Sequence, residues 1–126
     1  MLHLVEKLEE AVVPVQRDLD RTLGRSVHVE VIIDGVLELP VVSVDGNGGH
    51  STEVALDAER EVAVAQVADD VQEELMDQNA TSFWPTCRDH HTGLHAEVHD
   101  GAAVWWCRSG GHGVAALGQL DPDALA

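Results

Sequence analysis

The sequence predicts an α+β fold, in which helices and antiparallel strands occupy separate stretches of one chain. Two stretches space their apolar residues at the helical period, and two others alternate apolar and polar residues around an Asp-Gly pair. With 126 residues and 44% hydrophobic content, the chain is large enough for one core. The predicted order is a helix, a three-strand antiparallel meander, a second helix and a C-terminal β-hairpin with an extra strand, ribbon-like in outline.

The predicted division places an acidic α+β body at residues 1–79 and a hairpin module rich in Trp, Cys and His at 80–120. We expect the module to pack on the body as part of one domain overall. Within it, Trp84 and Trp105 are the predicted core anchors. Residues 121–126 are expected to form a loose tail.

The first predicted helix covers most of residues 1–24. Pro14 interrupts it and predicts a kink or two short helices, because proline removes a hydrogen bond and clashes one turn back. Gly24 is the predicted C-terminal stop, and Asp18 is assigned to the solvent-facing side. The helix is predicted by apolar residues at steps of three and four, namely Val5, Leu8, Val12, Val15, Leu19 and Leu23.

A hairpin follows, with one face of its first strand formed by alternating residues between 27 and 33. Asp34-Gly35 predicts a two-residue type I′ turn. The return strand is predicted over residues 36–44, where Pro40 requires an edge strand or a bulge because it cannot donate to a ladder. Residues 45–51 read as a loop and residues 52–56 as a third short strand.

The second helix is predicted over residues 58–78, with Asp57 as its N-cap. After a linker at residues 79–82, strands are predicted over residues 94–99, 102–107 and 114–117. Asp100-Gly101 supplies a tight turn between the first two of these strands.

The chain carries 7 basic and 23 acidic residues, a formal net charge of −16. Such a surface repels nucleic-acid phosphates and anionic lipids, so we expect neither nucleic acid nor membrane as a partner. A protein partner is expected, and a homodimer remains open. The first 20 residues are too charged for a signal peptide, so we expect a cytoplasmic protein with reduced thiols.

Both cysteines precede a histidine at short spacing, which predicts a metal site. Cys87 and His90 have two residues between them, and Cys107 and His112 have four. The hairpin between these pairs brings them together, and two thiolates with two imidazoles suit structural zinc. His91 is an equal alternative to His90. The cysteines also fit buried apolar side chains, reactive thiols or a disulfide.

His95, Glu97 and His99 alternate along the predicted hairpin and therefore share one face. They support an alternative function, metal-assisted hydrolysis, but the pattern also fits a solvated strand face. No nucleophile-elbow, phosphate-loop or H-E-x-x-H motif occurs. The sequence therefore favours a non-enzymatic binding or adaptor protein with a structural zinc site.

Two resemblances add to this interpretation. The element order is similar to the type III secretion chaperone-like fold, which implies a dimer that binds polypeptides. The C-terminal third resembles a signature of small, uncharacterised actinomycete proteins, which implies a compact terminal module, although Arg108 stands where that family has proline. The matching residues are Trp84, Pro85, Cys87, His90, Asp100, Gly101, Ala103, Val104, Trp105, Cys107, Val114, Ala115, Gly118 and Leu120.

Overall fold

A computed structural model describes residues 2–36, 38–50, 59–78 and 83–126. Its α+β class agrees with the prediction. Each of its two sheets is antiparallel and has its three strands in chain order. The described elements are α1 (Leu2–Thr22), β1 (Val29–Ile33), β2 (Pro40–Val44), β3 (Asn47–His50), α2 (Arg60–Gln78), β4 (His95–His99), β5 (Ala102–Cys107), β6 (His112–Ala116) and a 3-10 helix (Pro122–Ala124).

Helix α1 runs without a break through Pro14, so the alternative of two short helices is wrong. Pro14 is buried, and a Cβ on Gly118 would approach the proline Cβ to 3.0 Å. This contact places the turn after β6 directly on α1. The predicted stop is confirmed, since the helix ends at Thr22 and Gly24 has a φ of +82°.

The connection between β1 and β2 is longer than predicted and spans residues 34–39. Asp34 Oδ1 accepts a 2.8 Å hydrogen bond from the Val36 amide, and the Asp34 amide donates to the Leu39 carbonyl at 2.9 Å. An aspartate side chain that bonds two residues ahead forms its own turn, which replaces the expected type I′ geometry. The prediction of a two-residue turn is therefore wrong.

Pro40 is the first residue of β2, and β2 is the central strand of its sheet. The edge alternative is therefore wrong, whereas the alternative of a bulge near Pro40 agrees with the pairing irregularity of β2 between Val42 and Ser43. Strand β3 occupies a stretch predicted as a loop, after a tight turn at Asp45 and Gly46, which have φ values of 53° and 77°. The predicted strand at 52–56, the N-cap Asp57 and the linker at 79–82 lie outside the described residues.

The core contains residues from both helices and both sheets. Trp105 is its largest fully buried side chain, and Trp84 packs edge-on against it with ring centroids 5.3 Å apart. The Trp84 indole N–H also donates to Thr22 Oγ1 at the end of α1, over 2.9 Å. These contacts hold the second sheet, β4 to β6, against α1. The candidate site lies where β5 ends and β6 begins.

Asp18 is fully buried, so its assignment to the solvent-facing side is wrong. Its carboxylate accepts hydrogen bonds from the Trp105 indole at 2.8 Å and from the amides of Gly118 and Leu120 at 2.8 and 3.0 Å. Three N–H donors offset the cost of removing a charged group from water. The carboxylate therefore links α1 to the chain on both sides of β6.

Residues 121–126, expected to be loose, fold back onto the segment around Cys87. The Arg88 amide donates to the Ala124 carbonyl at 3.3 Å, and the Ala126 amide donates to the Thr86 carbonyl at 3.1 Å. Leu125 forms an isolated β-bridge with Cys87. We call residues 121–126 the tail strap, because they brace one side of the candidate site.

Candidate metal centre

Two short loops of similar backbone geometry present the candidate ligands. In the first, the His91 amide donates to the Cys87 carbonyl at 2.8 Å, and in the second the Gly111 amide donates to the Cys107 carbonyl at 2.8 Å. The closing residue of each loop has a positive φ, 54° at His91 and 65° at Gly111. Glycine adopts this conformation without strain, which explains Gly111 at the close of the second loop.

The sheet and its neighbours hold the two loops in place. Cys107 ends β5 and pairs with His112 at the start of β6, so one ligand pair lies across a single rung of the sheet. The first loop is anchored by the Cys87 amide, which donates to the Thr92 carbonyl at 2.8 Å. It is also closed by the β-bridge between Thr86 and Gly93.

The four predicted ligands converge on one point. Donor atoms of Cys87, His90, Cys107 and His112 all lie within 4.8 Å of one another. His90 Nδ1 is 3.5 Å from Cys87 Sγ and 3.4 Å from Cys107 Sγ, and His112 Nε2 is 3.8 Å from Cys87 Sγ. Zinc bonded to sulfur at about 2.3 Å and nitrogen at about 2.0 Å places tetrahedral ligands about 3.6 Å apart. The spacing therefore fits a tetrahedral ion.

The geometry of the cluster bears on two of the alternatives left open by the sequence, the choice between His90 and His91 and the disulfide. His90 belongs to it, whereas His91 is not among the residues brought together and its side chain is exposed. Cys87 and Cys107 are buried and are free thiols, not a disulfide. His112 is half-buried and His90 is exposed, so the cluster has a buried sulfur side and a more open imidazole side.

Hydrogen bonds around Cys107 favour its thiolate. Burial acts to raise the pKa of the Cys107 thiol. Hydrogen bonds from the Gly110 amide and from the Cys87 and Thr92 side chains outweigh this effect, so the pKa lies below its usual value. The Gly110 amide lies 3.4 Å from Cys107 Sγ. Because the thiolate is the form that binds metal, this environment prepares Cys107 as a ligand.

The outer nitrogen of His112 also has a partner, since Nδ1 lies 3.4 Å from the Gly113 carbonyl oxygen. A bond of this kind places the proton on Nδ1 and leaves Nε2, which faces Cys87, as the lone-pair donor. Such second-layer contacts orient metal ligands in general. The His112 ring is therefore oriented for coordination through Nε2.

Gly110 has a role at the site that the sequence indicated only in part. A Cβ built on Gly110 would lie 2.3 Å from His90 Cε1 and 2.7 Å from His112 Cδ2. The glycine therefore lets the backbone approach both imidazoles, which also lie near each other with ring centroids 5.4 Å apart. In the sequence, the Gly-Gly run indicated a backbone that could fold tightly around a cation, but not that Gly110 leaves room for both imidazoles.

The trio at His95, Glu97 and His99 is engaged elsewhere. Glu97 accepts a 2.6 Å hydrogen bond from Arg108 and lies 3.0 Å from His99 Nε2, and these two bonds hold the pKa of Glu97 below its usual value. The His99 ring stacks on Trp106 at 3.8 Å. Burial and the charge of Arg108 lower the pKa of His95. The trio does not join the Cys/His cluster.

In comparisons with known proteins, no family model, no curated protein and no solved structure matches the chain. Among the described residues, no helix combines the length and apolar character needed to cross a membrane. The Cys/His cluster is therefore the strongest basis for a functional conclusion.

Proposed function

We propose that the chain is a non-enzymatic binding protein whose C-terminal sheet is held by one structural zinc ion. The ligands would be Cys87, His90, Cys107 and His112. The observation that carries the proposal is the convergence of four soft or borderline donors from two separate loops within 4.8 Å. A full shell of four protein ligands is typical of structural zinc, whereas catalytic zinc keeps one position open for water.

The chemistry of the donors favours zinc over harder cations. Two thiolates and two imidazoles suit zinc, whereas Mg²⁺ and Ca²⁺ require oxygen ligands. Two thiolates also balance the charge of a divalent ion, and the buried position of both sulfurs makes such compensation valuable.

The position of the cluster supports a structural role. The proposed ion would join the turn after β5 to the loop that precedes β4, which are also linked by the contact between Thr92 Oγ1 and Cys107 Sγ at 4.0 Å. Glu97 and His99 already bond to each other, and the His99 ring stacks on Trp106, which argues against their use as a hydrolytic pair. We therefore assign no catalytic residue.

The proposal includes a cytoplasmic location, where reducing conditions keep thiols available as ligands. A protein partner is the remaining part of the proposal, and the excess of negative charge in residues 1–79 motivates it. Kinship with the small actinomycete proteins, or with dimeric secretion chaperones, remains a proposal that rests on the residues quoted above and on element order.

Metal analysis of protein purified without chelator tests the zinc site. We expect one zinc per chain, and tetrahedral absorption after cobalt replaces the zinc. Cys107→Ser should lose the metal, because the thiolate is removed, while His91→Ala provides the matched control and should retain one zinc. Metal-free protein with unchanged thermal stability after chelation would refute the structural role. Two or three protein ligands, with activity lost in His95→Ala or His99→Ala, would favour the hydrolase instead.

A further inference from the structure

The hairpin that joins β1 to β2 exposes an unusual amount of apolar surface. Ile33 is 53% exposed and Val36 is 91% exposed, and Ile32 and Leu39 are also exposed, at 38% and 45%. We call these four side chains the hairpin tip. They are half of the large exposed apolar residues in the described part of the chain. Ile32 and Ile33 are successive residues of β1, so the hairpin tip exposes apolar side chains on both faces of the sheet. Clusters of exposed apolar side chains are typical of interaction sites.

The hairpin tip adjoins a strand edge. Among the described strands, β1 pairs only with β2. The Asp45 amide donates to the His28 carbonyl, and the Asp34 amide donates to the Leu39 carbonyl, so even-numbered residues of the strand face β2. Because an antiparallel ladder alternates, the main-chain groups of Val31 and Ile33 point away from β2. Within the described part of the chain they have no main-chain partner, and they form a short row of donors and acceptors that a partner strand can pair with.

The start of the same edge is already covered from within the chain. The outward amide of Val29 donates to Gln16 Oε1 of α1 at 2.8 Å. The Gln16 amide nitrogen in turn donates to the Val27 carbonyl at 2.7 Å. The part of the edge available for pairing therefore begins after Val29, next to the exposed side chains of the hairpin tip.

The charge of the residues around the hairpin indicates which kind of partner would bind there. The sequence over residues 26–50 has four acidic residues, Glu30, Asp34, Glu38 and Asp45, and no lysine or arginine. A second copy of the chain would bring another net charge of −16 to this surface. Electrostatic complementarity at an interface opposes such like-charge contact and favours a basic partner.

We propose that the β1 edge and the hairpin tip bind an extended, basic segment of another polypeptide, which adds a strand next to β1. Main-chain pairing at Val31 and Ile33 supplies register, and apolar side chains of the partner cover Ile33 and Val36. Its lysines or arginines meet Asp34 and Glu38, which lie in the same connection as Val36. The inference names the partner surface of the proposed binding function, and it does not depend on zinc.

A labelled peptide of alternating lysine and valine is the probe, and an alternating glutamate and valine peptide is its control. Fluorescence anisotropy should show saturable binding of the basic peptide, with weaker binding as salt rises, and no binding of the acidic one. In the complex, hydrogen exchange at the Val31 and Ile33 amides should slow, because they become hydrogen-bonded.

Two charge-matched variants separate this surface from general attraction between opposite charges. Ile33→Lys should weaken peptide binding at least about tenfold, because it removes an anchor and adds repulsion. Val98→Lys adds the same charge at an exposed site on β4 and should change binding little. Circular dichroism of both variants checks that they are folded, and Val36→Lys gives a second test if Ile33→Lys is not.

Three results would overturn the proposal. Equal loss of peptide binding in Ile33→Lys and Val98→Lys would mean that the peptide is held by general attraction between opposite charges and not at a defined site. Unchanged exchange at Val31 and Ile33 would exclude strand addition. A dimer in solution that Ile33→Lys dissociates, without peptide binding, would assign the surface to self-association. The measurements are repeated on Cys107→Ser, so failure of the zinc site and failure of this surface are seen separately.

Discussion

Gly110 lies between the two imidazoles of the Cys/His cluster, where a Cβ would come within 2.3 Å of the His90 ring and 2.7 Å of the His112 ring. Its amide also faces Cys107 Sγ at 3.4 Å. One residue thus provides both space for the ligands and a hydrogen bond to a sulfur. A side chain here would have to displace a ligand, because contacts this short do not occur between real Cβ atoms and their neighbours.

Gly110→Ala should therefore weaken zinc binding by about 10- to 100-fold, the range typical when a residue that orients a metal ligand is changed. Competition with a chromogenic chelator measures the affinity. Gly113→Ala is the matched control, since a Cβ there meets Trp106 at an ordinary 3.7 Å and should leave the affinity unchanged. Equal affinities of the two variants would mean that His90 is not held where the cluster places it.

At the scale of single residues, the sequence predicted the contacts between residues that are close in the chain and missed those between distant ones. Cys87 with His90 and Cys107 with His112 are local pairs, so their spacing was visible in the sequence and the cluster brings all four together. Asp18 bonds to Trp105, 87 positions away, and no local pattern encodes that contact. Asp18 was grouped with exposed acidic residues of α1 such as Glu9 and Asp20 because of its charge, although it lies next to the buried Leu19.

The same distinction holds between elements. The Asp100-Gly101 turn has the positive φ values, 52° and 80°, that its sequence predicted, because β4 and β5 pair directly up to the turn. Asp34-Gly35 has the same letters, but the Asp34 side chain bonds to the Val36 amide and the pairing ends earlier, at Ile33 and Pro40. Turn chemistry therefore predicted a hairpin correctly in both places, but the type I′ turn predicted at Asp34-Gly35 does not form.

The tail strap yields a prediction at the scale of elements. Removing residues 121–126 deletes the hydrogen bonds that the tail makes with Arg88 and Thr86 beside the first ligand loop. Each such bond contributes roughly 1 kcal/mol, so the loop becomes less well ordered before it binds metal. We expect zinc affinity to fall about tenfold in the shortened chain, measured by the same chelator competition.

Asp123→Ala is the control for the tail strap, because it removes an exposed side chain and keeps the backbone that contacts the loop. It should bind zinc with the affinity of the unaltered chain. If the shortened chain also binds with full affinity, the strap does not support the metal site, and its contacts with residues 86–88 only cover the surface.

At the scale of the whole molecule, the helices and the candidate metal sheet share one core. Asp18 of α1 accepts hydrogen bonds from Trp105 and from the amides of Gly118 and Leu120, and the Trp84 indole donates to Thr22. Charged and buried bonds that join the two parts make separate unfolding costly, because either part alone would expose unpaired groups.

Unfolding should therefore be a single transition that both parts report together. All three tryptophans lie in residues 84–106, so their fluorescence follows the second sheet, whereas far-ultraviolet circular dichroism follows mainly α1 and α2. The two thermal curves should coincide. Chelation should lower both midpoints equally, by about 10 °C if free zinc stands about 100-fold above its dissociation constant, since binding then contributes about 2.7 kcal/mol.

Asp18→Asn should also shift both curves downward together, while Glu9→Gln on the exposed face of α1 should leave them in place. A fluorescence transition that moves with chelator while the helical signal stays fixed would divide the chain into two independent units, and zinc would then stabilise only the C-terminal one.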